Sequence, residues 1–298
     1  MARIVCIGEA MIELSRRDGG GWTMGYGGDT MNTAIHLARA GHDVAYLTAM
    51  GCDPFSDTLV DLDWCREGLD TSLVLRDPHH GSGLYAISTD DTGERSFTYW
   101  RSDSAARGMF SLPGIEAALA NAQQADLIVY SLITLAILPP EARVRLFALC
   151  QQVRARGGQV AFDGNYRPRL WSSAEQARAA RDAAIACADI GLPTLEDEVA
   201  LAEAEANSAD TVAAHWASLG CAETIVKHGS DGCRLPDGTI LPPPQVLTPL
   251  DTSGAGDAFN GGYLAARMKD ERVEDAAMAG HRLAGWCVMR SGAIPARD

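Results

Sequence analysis

Short apolar runs rich in β-branched residues alternate along this chain with segments whose apolar positions recur at helical spacing, and that order constrains the fold more than any other feature. Residues 3–8, 44–50, 126–131, 159–163, 189–193 and 222–228 read as strands, several of them apolar enough to be buried on both faces. Between them lie helical patterns. Met31, Ala34, Ile35 and Ala38 form one stripe that Gly41 stops, and a second helix follows Pro54 to about Gly68. A third starts at Pro139-Pro140 and ends at Gly157-Gly158, and others span 174–187, pass through Leu201 and Leu219, and run from Ala255 to Met268. Strand, helix, strand, helix implies parallel pairing with helices packed on the sheet. With 298 residues, 47% of them hydrophobic, the chain can bury a large core of this kind.

One segment interrupts the alternation. From Gly83 to Arg101 the period falls to about two, with Leu84, Ala86, Phe97 and Tyr99 separated by the polar run Asp90-Asp91-Thr92-Gly93-Glu94, which predicts a hairpin. Residues 10–14 read as a further strand before the break at Gly19-Gly20-Gly21. The hairpin is expected to project from the main sheet as a lid or an interaction surface. Its aromatic residues Tyr85, Phe97, Tyr99 and Trp100 suit packing, a homodimer contact, or both.

Four stretches carry candidate chemistry. Asp251-Thr252-Ser253-Gly254-Ala255-Gly256-Asp257-Ala258-Phe259-Asn260-Gly261-Gly262 is a glycine turn opening a helix, where unpaired N–H groups and the helix dipole attract a phosphate and Asp257 brings a carboxylate beside it. A plain capped turn would look much the same. Gly25-Tyr26-Gly27-Gly28-Asp29-Thr30 is a second glycine-rich helix start, which serves either as a cap or as a close backbone approach to a small ligand, with Asp29 and Asn32 as polar contacts. Gly164-Asn165-Tyr166-Arg167-Pro168-Arg169-Leu170-Trp171 follows the carboxyl end of a strand, where open α/β sheets bind ligands. Lys227-His228-Gly229-Ser230-Asp231-Gly232 is a turn that either contacts a nucleotide or only joins Val226 to Arg234.

Composition removes several alternatives. A formal charge of -14 argues against a nucleic-acid partner, because such affinity depends on Lys and Arg neutralising phosphates. The first residues read as a strand rather than a signal peptide, and no apolar run reaches bilayer length, so a cytoplasmic protein with no membrane partner is expected. The eight cysteines are scattered with no C-x-x-C pair, which favours reduced thiols over disulfides or a zinc site. There is no G-x-x-x-x-G-K-[ST] sequence, so the phosphate site is not a P-loop.

Taken together and in this order, GGDTMN, DGNYRPRLW, KHGSDG and DTSGAGDAFNGG resemble the PfkB, or ribokinase-like, family of sugar kinases over nearly the whole chain. The resemblance implies an α/β fold: a three-layer α/β/α ribokinase-like domain spanning 1–298, with a mostly parallel central sheet. It also implies a small β lid contributed by roughly 9–26 and 81–103. Within the family, GGDTMN, FTYWRSDSAAR and NYRPRLW look most like the bacterial 2-keto-3-deoxygluconate kinases. Arg101 and Arg167 suit that substrate class, since charge-assisted bonds to the carboxylate of an acid sugar would be lost with a neutral hexose.

The implied activity is transfer of the ATP γ-phosphate to the 6-hydroxyl of 2-keto-3-deoxygluconate. Asp257 is the implied base, and the N–H groups of Gly254, Ala255 and Gly256 form an anion hole. A raised pKa is not required of Asp257, because the proton leaves late in a loose transition state. Gly28, Asp29, Asn32, Tyr85, Tyr99, Arg101 and Arg167 are the implied sugar contacts. Asn165, Lys227, Gly229, Gly232, Gly254 and Gly256 are placed near the nucleotide, with Lys227 alternatively a surface lysine. Many family members carry N-x-x-E where this chain has Thr194-Leu195-Glu196-Asp197, so Mg²⁺ is expected without a direct protein ligand, and K⁺ is a further candidate cofactor. A fructokinase or other neutral-sugar kinase is the alternative within the family. A nucleoside kinase of the same fold shares the catalytic centre, and an inactive sugar-binding regulator is the alternative from another class.

Overall fold

The computed structural model describes residues 3–16, 20–89, 95–202 and 207–297. In chain order the strands are β1 (Arg3–Ile7), β2 (Met11–Arg16), β3 (Trp22–Gly27), β4 (Asp43–Gly51), β5 (Val74–Asp77), β6 (Gly83–Thr89), β7 (Arg95–Trp100), β8 (Leu127–Ser131), β9 (Gln159–Asp163), β10 (Ile190–Gly191) and β11 (Glu223–Thr224). They are followed by β12 (Val226–Lys227), β13 (Cys233–Arg234) and β14 (Ile240–Leu241).

Seven strands form the main sheet in the order β11-β10-β9-β8-β1-β4-β5, and every pairing is parallel. Alternation along β1 divides its side chains between two cores. Ile4 and Cys6 enter a cluster with Met31, Ile35, Tyr263 and Ala276, while Val5 and Ile7 enter another with Leu146, Leu149, Val153 and Ala180. Helices Asp29–Arg39, Ala255–Arg267 and Val273–Val288 therefore cover one face, and helices Pro140–Ala155 and Ala174–Ile185 cover the other. That is the expected three-layer arrangement.

From β1 the chain builds outward through β4 and β5, then returns beside β1 at β8 and builds the opposite way. The carboxyl ends of β1 and β8 thus diverge, which opens a crevice between their outgoing loops. The stretch 164–171 leads from this edge, directly after β9.

A second sheet, in the order β3-β2-β6-β7, accounts for the segments expected at 9–26 and 81–103. The expected turn at 90–94 lies outside the described residues, as does Gly19. Pairing of Tyr85 with Tyr99 and of Leu84 with Trp100 sets the faces: Tyr85, Phe97 and Tyr99 share one side and Leu84 and Trp100 the other.

The structure departs from the sequence reading in several places. β3 was not expected as a strand, because two glycines in its six residues weaken the β signal; β5 is short and half charged. Residues 222–228 do not form one strand. β11 extends the main sheet, while β12 keeps one parallel bridge to Thr194 and pairs antiparallel with β13 through the 228–232 turn. The 189–193 run keeps only two ladder residues, although Leu192 N–H still donates to Phe162 O at 2.9 Å. Among the described residues no helix is long and apolar enough to cross a membrane.

Candidate active site

The helix Ala255–Arg267 starts at Gly254, whose φ of 68° is left-handed. A side chain there would also place its Cβ 2.6 Å from Ala293 Cβ, so the turn needs glycine twice over. Asp251 braces the same turn: its carboxylate accepts from Ser253 N at 3.0 Å and from Gly292 N at 2.6 Å. The resulting first turn presents N–H groups with no intrahelical acceptor. Of the three expected anion-hole donors, Ala255 N–H closes a loose turn on Thr252 O at 3.3 Å.

Asp257 and Asn260 lie three residues apart on one face of this helix. Asn32 Nδ2, from helix Asp29–Arg39, donates to Asp257 Oδ2 at 2.7 Å, and Thr33 Oγ1 donates to Asp257 O at 3.3 Å. Burial pushes the Asp257 carboxyl up to about 8, the nearby Asp29 and Asp163 carboxylates add to the rise, and Asn32 and Lys227 oppose it. The mechanism does not require a raised value, and the sequence did not show how many acids the fold would gather here. Asp29 is also raised, chiefly by burial, and accepts from Asn165 Nδ2 at 3.3 Å.

Lys227 is not a surface lysine. Its Nζ is buried and donates to Asp163 Oδ1 at 3.1 Å and Asn260 Oδ1 at 2.9 Å, while Asn260 Nδ2 donates to Asp163 Oδ2 at 2.9 Å. The ammonium also lies 3.7 Å from where a Cβ on Gly256 would stand. This triad joins the end of β9, strand β12 and the Asp257 helix, and it places a cation beside the glycine turn.

These groups border a single cleft of ≈ 2030 Å³, which Gly28, Asp29, Asn32, Tyr85, Tyr99, Arg101, Asn165, Arg167, Lys227, Gly229 and Gly232 also line, together with Gly254, Ala255, Gly256 and Asp257. Every expected site residue therefore reaches one space. Gly28 has a φ of 143°, and a Cβ there would collide with Glu9 O, so the backbone passes where no side chain fits. Tyr85 donates to Glu13 and lies 5.9 Å, centroid to centroid, from Tyr99.

The two arginines are not free cations. Arg101 donates to Glu9, and Arg167 Nη1 donates to Asp197 Oδ1 at 3.1 Å and to Tyr166 O at 2.6 Å. Burial lowers the Arg167 pKa, but Asp197, helped by Asp29 and Asp163, makes the net shift upward. Asp197 itself is raised, first by burial and then by Asp163, against the pull of Arg167. Glu198, the next acid along, turns away to Arg181 and Trp216. Among the described residues no group of three His, Cys, Asp or Glu side chains is placed to hold a metal.

The family model for the pfkB family carbohydrate kinases matches residues 1–298. This chain belongs to that family. The kinase is 40% identical to the 2-dehydro-3-deoxygluconokinase of Escherichia coli (strain K12) over 99% of this chain and 98% of the relative. It is 41% identical to the enzyme of that name from Dickeya dadantii, over 98% and 96% of the two chains. A fructokinase from Vibrio alginolyticus is more distant, at 30% over 89% of this chain and 84% of its own. Among solved structures, a PfkB protein from Polaromonas sp. JS666 superposes with a TM-score of 0.82 at 26% identity, covering 96% of this chain and 95% of the other.

Sequence reasoning missed four acidic or amide groups of the kinase. Glu9 and Glu13 lie in a stretch read only as strand, and Asp163 and Asn260 were quoted inside motifs without a role. Asp163 had a signal, since it ends an apolar strand at the ligand edge of the sheet. Glu9 and Glu13 had none, because their partners Arg101 and Tyr85 are 92 and 72 residues away.

Proposed function

We propose that this kinase transfers the γ-phosphate of ATP to the terminal 6-hydroxyl of 2-keto-3-deoxygluconate. The observation that carries the reading is one cleft bordered by the helix-start carboxylate Asp257 and by Arg101 and Arg167. The names of the relatives at about 40% identity favour the same substrate. In this reading the 6-oxygen attacks the γ-phosphorus as the bond to the bridging oxygen breaks and ADP leaves with its electrons. The hydroxyl proton passes to Asp257. The Gly254 turn and Lys227 offset charge on the transferring group, and the arginines hold the sugar carboxylate at the other end.

Mg²⁺ fits this site as a companion of ATP rather than as a caged ion, because Asp163 and Asp197 already hold Lys227 and Arg167 and, among the described residues, no third acid joins them. Bound there, it would neutralise phosphate charge, with Asp197 reaching it through water. The sheet of β2, β3, β6 and β7 is the lid: it brings Tyr85 and Tyr99 over the sugar, and its exposed Trp22 and Trp100 suit a homodimer contact. We place the enzyme in the cytoplasm.

The test is an acceptor panel with ATP and Mg²⁺, with and without K⁺. It compares 2-keto-3-deoxygluconate, its galactonate-type epimer, fructose, ribose and adenosine. The keto-deoxy acids should be turned over far faster than the rest; faster phosphorylation of fructose or ribose would sink the assignment, and binding without turnover would point to a regulator. Arg167→Ala should raise KM for the acid sugar by about tenfold or more, the usual scale for losing a charged partner, while unchanged kinetics would remove Arg167 from the clamp.

A further inference from the structure

Glu9 sits where the chain leaves β1 for the small sheet, and Arg101 sits where it returns after β7. The two meet behind the cleft: the Glu9 side chain is 1% exposed and that of Arg101 12%, with Arg101 Nη2 donating to Glu9 Oε2. Gly83, which opens β6, also approaches; a Cβ there would stand 2.5 Å from Glu9 Oε1. One carboxylate therefore contacts or closely approaches three of the chain crossings between the main sheet and the small one. Glu9 does not line the cleft, whereas Arg101 does.

Two buried atoms in this pair have no partner, Glu9 Oε1 and Arg101 Nε. They are a complementary acceptor and donor, the second contact that a two-point carboxylate–guanidinium pair would use. With Nη2 on Glu9 and Nε buried, Nη1 is the nitrogen left to serve the cleft that Arg101 lines.

We infer that Glu9 is a positioning residue for the acid-sugar clamp: it fixes Arg101 from behind, so that the guanidinium meets the substrate carboxylate already oriented and already desolvated. The inference rests on the acid-sugar reading above. A competing effect exists, since a second carboxylate near an anionic substrate repels it. Preorganisation outweighs that repulsion here because Arg101 is buried; without Glu9 the guanidinium would lose its oriented partner and take other rotamers.

The test is steady-state kinetics with 2-keto-3-deoxygluconate on Glu9→Gln, Arg101→Gln and the double variant. Glu9→Gln should raise KM for the acid sugar about tenfold, the scale of disturbing a buried charged pair, with kcat and KM for ATP within about twofold. In the Arg101→Gln background the same change should add less than about twofold, because Glu9 acts through Arg101. A KM within twofold of wild type, a lower KM, or an undiminished penalty in the Arg101→Gln background would overturn the inference. Should Glu9→Gln not fold, Glu9→Asp, which withdraws the carboxylate from Arg101 by one methylene, is read by the same criteria. Wild-type enzyme that ignores the acid sugar overturns the substrate reading, a result visible before any variant is made.

Discussion

At the scale of single residues, the raised carboxyl of Asp257 has two measurable consequences. Burial and the Asp29 and Asp163 charges hold it at about 8 against an ordinary value of 3.8. A general base must be ionised, so kcat/KM for the sugar should rise with pH through a midpoint near 8. Asp29→Asn removes a neighbouring negative charge and should move that midpoint down; a midpoint that stays in place would show that Asp29 does not help set it. For stability the sign is the reverse. Between 3.8 and about 8 the folded state holds a proton that the unfolded state has lost, so this group's contribution to stability falls as pH rises across that window. Asp257→Asn should cut turnover by about 10²- to 10⁴-fold, the range for a positioned base, with sugar binding still measurable by calorimetry.

Among elements, the junction of β9, β12 and the helix Ala255–Arg267 determines whether the phosphate end of the site forms. Lys227, Asp163 and Asn260 satisfy one another there almost out of reach of water. Lys227→Met would leave Asp163 as a buried charge without its cation, which costs about 3–5 kcal/mol in comparable cases. Urea denaturation should show that loss as a lower midpoint with unchanged slope, and turnover should fall because the cation beside Gly256 is gone. A midpoint close to wild type would mean that the acid has protonated or found water, and that the triad is not a structural element.

On the scale of the whole molecule, the small sheet has two sides with different prospects. Tyr85, Phe97 and Tyr99 turn toward the cleft, while Trp22 and Trp100 are more than half exposed. If two copies cover those tryptophans, sedimentation velocity at micromolar concentration should give a dimer, and Trp100→Glu should shift it to monomer. A wild-type monomer would leave the sheet as a lid alone.

Much of this was legible in the sequence, and the boundary has a physical basis. Apolar runs at 3–8, 44–50, 126–131 and 159–163, alternating with helical patterns, pointed to the parallel sheet, because a strand buried on both faces must be apolar throughout. The glycine turns at 27–28 and 254–256 were legible because a helix start approached closely by ligand or backbone tolerates few other residues. The strands at 189–193 and 222–228 were legible too, but not the short bounds of β10, β11 and β12, which are set by which neighbour their backbone groups reach rather than by composition. Nor were the pairings of Glu9 with Arg101, Glu13 with Tyr85 and Lys227 with Asp163. The chemistry of each side chain was written in the sequence, but its electrostatic state depends on partners 64 to 92 residues away that only the folded sheet brings within hydrogen-bond distance.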